Sequence, residues 1–224
     1  MKAFQYPLTA PKQSHIEIVR FLSENINRKF TQIQIAKGIG KGKSYKNVRE
    51  SIKELVKYGV IDTEGIGPYI LCSLDIDEPA TIVYVAFAEH SKKYAIYKRA
   101  ADIREICERL INQIKQHTPF FAMLLFGSYA KGIFHEKSDI DLIILIEKKY
   151  HDNVKREVSS LQSIYAKKIN AFAMAKNDYE SMLASKEEIN IGKESLKSHV
   201  LLYSAEIYYQ IVRDVYGKGQ AQGS

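Results

Sequence analysis

The sequence lacks any long apolar segment and any signal for secretion. No apolar run approaches the roughly 18 residues that a membrane-spanning helix needs, and the longest runs lie around Ala80–Ala88 and Met123–Phe126. The first residues, MKAFQYPLTAPKQS, contain two Lys but no apolar stretch of the kind found in signal peptides. We therefore predict a cytoplasmic protein without a membrane partner.

Cysteine is scarce, with Cys72 and Cys107 the only two. They lie far apart, form no C-x-x-C pair and have no histidine at metal-ligand spacing, which argues against a zinc site or a structural disulfide. Each falls in an apolar pattern, so we predict two small buried core residues.

Internal repeats are also lacking. The tail 217–224 offers little that could pack and is predicted to be flexible.

Basic residues are in excess, and the excess is unevenly placed. The net charge is +7. The stretch from Lys12 to Leu71 holds eleven Lys and Arg against six Asp and Glu, a balance of +5, and the remaining residues hold twenty-two against twenty. This distribution favours a polyanionic partner for the first third of the chain. The alternative is a protein that is simply basic throughout.

The first 78 residues are predicted to form three helices and a hairpin. Ser14 and Thr31 are each placed to cap a helix, and apolar residues recur at helical spacing after them. A third helix follows the glycine-rich turn Gly38–Lys43 and ends at Tyr58-Gly59. Two strands joined by a tight loop at Gly65–Pro68 come next.

This order resembles a winged helix-turn-helix domain, from about Lys12 to Leu74. A recognition helix needs an apolar face for the core and a basic face for phosphates and base edges. The candidates for nucleic-acid contact are Lys43, Lys46, Arg49 and Lys53. The resemblance implies DNA as a partner, and the alternative is a domain used for protein interaction or packing.

Residues 79–117 are predicted to connect this domain to the next. Thr81–Phe87 suits either a strand or the start of a buried helix, because periodicity does not distinguish them in so short a run. The apolar spacing from Ile96 to Ile114 predicts one continuous amphipathic helix. Pro119 follows, and proline disfavours helical geometry in the residue before it.

The residues that point to chemistry lie between two apolar strands. The first strand, Phe121–Phe126, runs into Gly127-Ser128, and the second contains Asp139-Ile140-Asp141. Alternation along a strand places both carboxylates on one face. Because paired carboxylates repel unless a cation lies between them, they form a candidate divalent-metal site. Gly127 allows a close backbone approach to a phosphate, and Ser128 offers a hydroxyl and an amide.

Gly127-Ser128, ten intervening residues and Asp139-Ile140-Asp141 resemble the hallmark of the DNA polymerase β-type nucleotidyltransferase superfamily. Tyr129-Ala130-Lys131-Gly132, and Ser138 before the first Asp, are similar to the minimal nucleotidyltransferases. That group includes kanamycin nucleotidyltransferase and the antitoxin partners of HEPN-domain toxins. The resemblance covers about Pro119 to Tyr209 and implies an α+β fold, with a mixed sheet flanked by helices over residues 118–216.

The resemblance also implies roles for single residues. Gly127 and Ser128 would hold the β- and γ-phosphates of a nucleoside triphosphate, with Lys131 reaching a phosphate or remaining solvated. Asp139 and Asp141 would bind Mg²⁺ or Mn²⁺. The implied reaction transfers a nucleoside monophosphate, AMP in the first instance, to a hydroxyl on a protein, small molecule or RNA. Tyr129 suits packing and ligand contact equally.

The sequence departs from the family at the third carboxylate. The strand that should supply it contains Asn170 at the expected position. An amide oxygen ligates Mg²⁺ weakly and does not act as a base near neutral pH. Asp178 and Glu180 are nearby but suit the first turn of the next helix, and Glu147 suits a strand exit into solvent.

Further along, we predict a turn at Ile189–Ser195, a closing strand at Ser198–Ser204 and a last helix over Ala205–Val215. His199 has no motif partner and is interpreted as a surface or strand-end histidine. Three functions therefore stay open. The protein is a nucleotidyltransferase, or a DNA-binding regulator that senses nucleotide, or an antitoxin that modifies or sequesters a HEPN-type toxin.

Overall fold

The computed structural model describes residues 10–40, 44–165, 167–187 and 189–218. The chain divides into two compact units, one comprising Met1–Ala88 and Tyr216–Ser224 and the other Glu89–Val215. Lys43, predicted to contact nucleic acid, and the tail after Lys218 lie outside the described residues. Among the helices described, none combines the length and the apolar composition that a membrane crossing requires.

The first unit contains three helices followed by a hairpin. In chain order its elements are α1 (Gln13–Ser23), β1 (Phe30–Thr31), α2 (Gln32–Gly38), α3 (Tyr45–Lys57), β2 (Ile61–Ile66) and β3 (Tyr69–Leu74). The strands form an antiparallel sheet in the order β1-β3-β2. The predicted helices and hairpin are confirmed, whereas their assignment to a winged helix-turn-helix stays a prediction.

One of the two predicted helix caps is present in this unit. The Thr31 hydroxyl accepts a hydrogen bond from the Gln34 amide, and the Gln34 side chain accepts one from the Thr31 amide, which together form a capping box. The prediction for Ser14 is wrong, because α1 begins at Gln13 with Lys12 as its N-cap. The Ser14 hydroxyl instead accepts a hydrogen bond from Ser51 at 2.8 Å.

The connecting region consists of two helices, α4 (Pro79–Arg99) and α5 (Ala101–Lys115). Thr81–Phe87 is therefore helical. The single helix predicted from Ile96 to Ile114 is wrong, because Ala100 has φ −138° and ψ 87° and interrupts it. Alanine favours helix locally, so the helix propensity of Ala100 does not account for the break.

The second unit is built on a four-stranded mixed sheet. The strands are β4 (Ala122–Phe126), β5 (Ile140–Leu145), β6 (Ile169–Met174) and β7 (Val200–Tyr203), in the order β6-β5-β4-β7. β5 and β6 are parallel, and the other pairs are antiparallel. The remaining helices are α6 (Gly127–Lys131), α7 (His151–Tyr165), α8 (Lys176–Ala184), α9 (Ile191–Lys197) and α10 (Ala205–Tyr216). The predicted α+β class is confirmed.

The core of this unit lies between one face of the sheet and the helices α5 and α7. Ile140, Leu142 and Ile144 of β5 belong to that buried cluster. Residues that alternate with them, Asp141 among them, therefore lie on the opposite face. Both cysteines are buried and free, as predicted.

One prediction near the end of the chain is wrong. The turn expected at Ile189–Ser195 is largely helix α9, because the Asn190 side chain caps it by accepting a hydrogen bond from the Lys193 amide at 2.9 Å. His199 lies directly before strand β7, so of its two interpretations the strand-end one is confirmed, and its side chain is buried. Its Nδ1 lies 2.7 Å from the Ser195 carbonyl and its Nε2 lies 3.5 Å from the Glu89 carboxylate.

Candidate active site

Three strands bring the candidate residues to the same end of the sheet. Gly127 directly follows β4, Asp141 is the second residue of β5, and Asn170 is the second residue of β6. Asp141 pairs with Phe126 on one side and with Asn170 on the other. The carboxyl end of β4 therefore meets the amino ends of β5 and β6.

The two carboxylates converge on Asn170. Its Nδ2 lies 2.9 Å from Oδ1 of Asp141 and 3.4 Å from Oδ2 of Asp139. Because carboxylate oxygens only accept hydrogen bonds, the amide NH₂ group rather than the carbonyl faces them. Asn170 thus donates toward both carboxylates at the position where the resembling family has a third acid.

Lys168 also reaches this cluster, and sequence reasoning missed it. Its Nζ lies 2.6 Å from Oδ2 of Asp139, and both side chains are partly open to solvent. This hydrogen bond lowers the pKa of Asp139 and raises the pKa of Lys168. Lys168 lies two positions before Asn170 on extended chain, so the alternation that placed the acids on one face would have indicated it.

Gly127 fixes the position of Asp141. Its φ is +67°, and a β-carbon built on it would lie 2.4 Å from Oδ2 of Asp141. A side chain at this position would displace the carboxylate. Glycine is therefore required both by the backbone angle and by the contact.

The segment after Gly127 contains the remaining predicted ligand contacts. Ser128 is half-buried in α6, and Lys131 is exposed one helical turn later. Tyr129 packs: it is buried and stacks on Phe134, with ring centroids 4.5 Å apart. The open question about Tyr129 is thus answered in favour of packing.

A hydrogen-bonded turn positions Asp139. The His135 amide donates to the Ser138 hydroxyl at 2.9 Å, and the Ser138 amide donates to the His135 carbonyl at 2.9 Å. Lys167 donates to the Glu136 carbonyl at 2.8 Å and so holds the same turn. Ser138 is therefore a structural neighbour of the acidic pair.

The alternative third acids lie elsewhere. Asp178 is in the first turn of α8, as predicted, and Glu180 pairs with Lys176 at 3.5 Å. Glu147 is exposed and pairs with Lys149 at 2.9 Å. Asn170 is consequently the residue that occupies the third position beside the two acids.

The donor set fits one divalent cation. The two carboxylates present the oxygen ligands that Mg²⁺ and Mn²⁺ prefer. Within the described ranges, no group of three or more His, Cys, Asp or Glu residues is arranged to hold a metal ion. That result agrees with the amide at position 170.

A second candidate surface lies on α3 in the first unit. Lys46, Arg49 and Lys53 are exposed, whereas Val48 and Ile52 are buried. Lys53 pairs with Glu50 at 2.9 Å, so part of its charge is already matched. The helix therefore has the apolar and basic faces that the sequence predicted.

The hairpin after α3 differs in character from that helix. The residues 61–74 contain no Lys or Arg. Near the tip the hairpin exposes Ile66, Tyr69 and Ile70. In this unit, phosphate contacts are thus better matched by α3 than by the hairpin.

Comparison with known families gives one match. Residues 108–207 match the model of the family described as "Polymerase beta, Nucleotidyltransferase". The matched range includes β4 to β7 and all the residues of the acidic cluster, so this part of the chain is similar to the nucleotidyltransferase family. No solved structure matches the chain at a significant level.

Proposed function

We propose that the unit Glu89–Val215 binds a nucleoside triphosphate with Mg²⁺ or Mn²⁺ and transfers a nucleoside monophosphate, AMP in the first instance, to a hydroxyl acceptor. The observation that carries this proposal is the convergence of Gly127, Asp139 and Asp141 at one end of the sheet. The match of residues 108–207 to the nucleotidyltransferase family supports it independently.

In this proposal each group has a distinct task. Asp139 and Asp141 would hold the divalent cation, which when bound offsets negative charge on the phosphate oxygens. Gly127 and Ser128 present backbone and hydroxyl groups to the phosphates. Lys131, exposed one turn after Ser128, adds a positive charge on that side.

The proposed reaction exchanges one phosphorus–oxygen bond for another. The hydroxyl oxygen of the acceptor bonds to the α-phosphorus, the bond from that phosphorus to the α,β-bridging oxygen breaks, and pyrophosphate leaves. The hydroxyl proton must also depart. Since Asn170 is not a base near neutral pH, the proton passes to water and we expect slow turnover.

Label transfer tests this proposal. Protein and Mg²⁺ are incubated with labelled ATP, GTP, CTP or UTP and cell lysate, beside a double variant, Asp139→Ala/Asp141→Ala. Asp178→Ala is the matched control, because that acid lies in the same unit but outside the cluster. We expect label transfer by the wild type and by the control only. Equal transfer by the double variant would show that the chemistry lies elsewhere.

The second candidate function is binding without turnover. It is favoured by two observations: the third acidic position holds Asn170, and Lys168 already neutralises Asp139. In this form the protein is a DNA-binding regulator that senses nucleotide, or an antitoxin that sequesters a HEPN-type toxin. The exposed basic face of α3 supports the nucleic-acid contact.

Equilibrium binding separates the two candidates. A fluorescent ATP analogue is titrated against the wild type and the Asp139→Ala/Asp141→Ala variant in Mg²⁺. Tight binding by the wild type, lost in the variant and accompanied by no label transfer in any lysate, selects the binding function. Binding together with transfer selects the enzyme.

A further inference from the structure

The acidic cluster already contains its own positive charge. Nζ of Lys168 and Nδ2 of Asn170 both approach one oxygen, Oδ2 of Asp139, at 2.6 Å and 3.4 Å. Nδ2 of Asn170 also donates to Oδ1 of Asp141 at 2.9 Å. One ammonium and one amide therefore contact the same two carboxylates that a phosphoryl-transfer site with two divalent cations would share between them.

We propose that Lys168 and Asn170 together replace a second divalent cation, so that this site holds one divalent ion with its triphosphate. Lys168 supplies the charge, and Asn170 supplies the donors that bridge the two acids. The inference deepens the proposed triphosphate site and rests on that function for its substrate.

The formal charges support a single ion. Asp139 and Asp141 bring two negative charges, and Lys168 removes one, which leaves one. Without nucleotide, a first divalent cation makes these protein groups net positive, and the neutral Asn170 provides no charge to offset a second cation. A carboxylate at position 170 would restore that balance.

Stability does not explain the Lys168–Asp139 pair. The side chains are 66% and 38% exposed, and ion pairs so open to water contribute little to folding. Lys168 can therefore be replaced without unfolding the protein. A change in metal binding on its replacement then reports on the site itself.

The experiment measures Mn²⁺ binding by electron paramagnetic resonance of the free ion, with the full chain and no nucleotide. The variants are Lys168→Met and Asn170→Asp, and the control is Lys149→Met. Lys149 is 62% exposed and pairs with a carboxylate at 2.9 Å, which matches Lys168 in setting. We expect Lys168→Met to bind Mn²⁺ about fivefold more tightly than wild type. Asn170→Asp should tighten Mn²⁺ binding about tenfold, and the Lys149→Met control should bind Mn²⁺ as the wild type does.

A second arm adds ATP. The wild type should then bind one Mn²⁺ per chain, and the Asn170→Asp variant should bind two. Two Mn²⁺ ions on the wild type, or no tightening in either variant, would overturn the inference. If the proposed function fails instead, neither the wild type nor the variants will bind ATP. The differences in Mn²⁺ binding without nucleotide would then persist and would still support the roles of Lys168 and Asn170.

Discussion

Gly127 and Asp141 are in such close contact that a β-carbon on Gly127 would lie 2.4 Å from Oδ2 and 3.2 Å from Cγ of Asp141. The two residues belong to neighbouring segments, because Phe126 at the end of β4 pairs with Asp141 of β5. The backbone of the turn after β4 and the Asp141 side chain on β5 therefore restrict each other's position.

Replacing Gly127 with Ala should damage both the fold and the site. A left-handed backbone and a steric overlap together should cost about 3 kcal/mol in the free energy of unfolding, and displacement of Asp141 should abolish ATP binding. Gly132→Ala is the matched control: its φ is +71°, and its β-carbon would meet only the end of Arg99 at 3.4 Å. It should cost about 1 kcal/mol and keep ATP binding. Denaturant unfolding and ATP titration measure both effects, and equal loss of binding in the two variants would contradict the role of the contact.

Ser138→Ala should loosen the turn before Asp139. The His135 amide loses its acceptor at 2.9 Å, which should lower the free energy of unfolding by about 1 kcal/mol and weaken ATP binding severalfold. Ser163→Ala serves as control, because that hydroxyl bonds only within α7, on an exposed surface. If Ser138→Ala binds ATP as the wild type does, the turn does not position Asp139.

Glu89→Gln should destabilise the second unit strongly near neutral pH. Glu89 is buried, lies 2.8 Å from Lys92, and its carboxylate accepts hydrogen bonds from the Leu201 amide and the Tyr209 hydroxyl. Removing its charge breaks the largely buried ion pair with Lys92, at a cost of about 3 kcal/mol. Glu108→Gln, which breaks the more exposed pair with Lys93, should cost under about 1 kcal/mol.

The cost of Glu89→Gln should depend on pH. Burial alone would raise the pKa of Glu89, but Lys92 and His199 outweigh it and lower the pKa to about 2. A carboxyl with a lowered pKa stabilises the fold above its unfolded value, near 4.5, and loses that contribution as the pH falls toward 2. Urea unfolding at pH 7 and pH 3 should show the difference between wild type and variant shrinking in acid. A difference independent of pH would show that the charge of Glu89 is not responsible.

Thr31→Ala should remove the capping box of α2. The loss of the bond from the Gln34 amide should cost about 1 kcal/mol in thermal or denaturant unfolding of the full chain. Ser44→Ala offers a direct comparison, since Ser44 is the N-cap of α3 but its side chain makes no capping bond there. Equal costs for the two variants would show that the capping bond at Thr31 is unimportant.

Lys46→Ala/Arg49→Ala should weaken binding to duplex DNA. Each lost phosphate contact reduces the number of counter-ions that are released on binding. The slope of log affinity against log salt concentration should therefore decrease by the equivalent of about two phosphate contacts. Lys155→Ala, an exposed lysine on α7 in the other unit, is the control. Fluorescence anisotropy over a range of salt concentrations measures the effect, and the absence of binding by wild type at low salt would remove DNA as a partner.

The sequence by itself determined the local features of the candidate site. Alternation along β5 placed Asp139 and Asp141 on one face, because the side-chain period of a strand depends only on neighbouring residues. The resemblance to the nucleotidyltransferases indicated Asn170 as the third position, and the pairing of β5 with β6 places it beside Asp141. The capping box at Thr31 is equally local.

Only the tertiary structure decided which distant groups meet. The break at Ala100, the buried contact of Glu89 with His199 and the approach of Lys168 to Asp139 each join or redirect segments far apart in the chain. Patterns within a few residues carry helix and strand periods, but they do not specify which side chains from separate elements share a contact. Packing between separate segments therefore determines that Lys168 already partly neutralises the carboxylate pair.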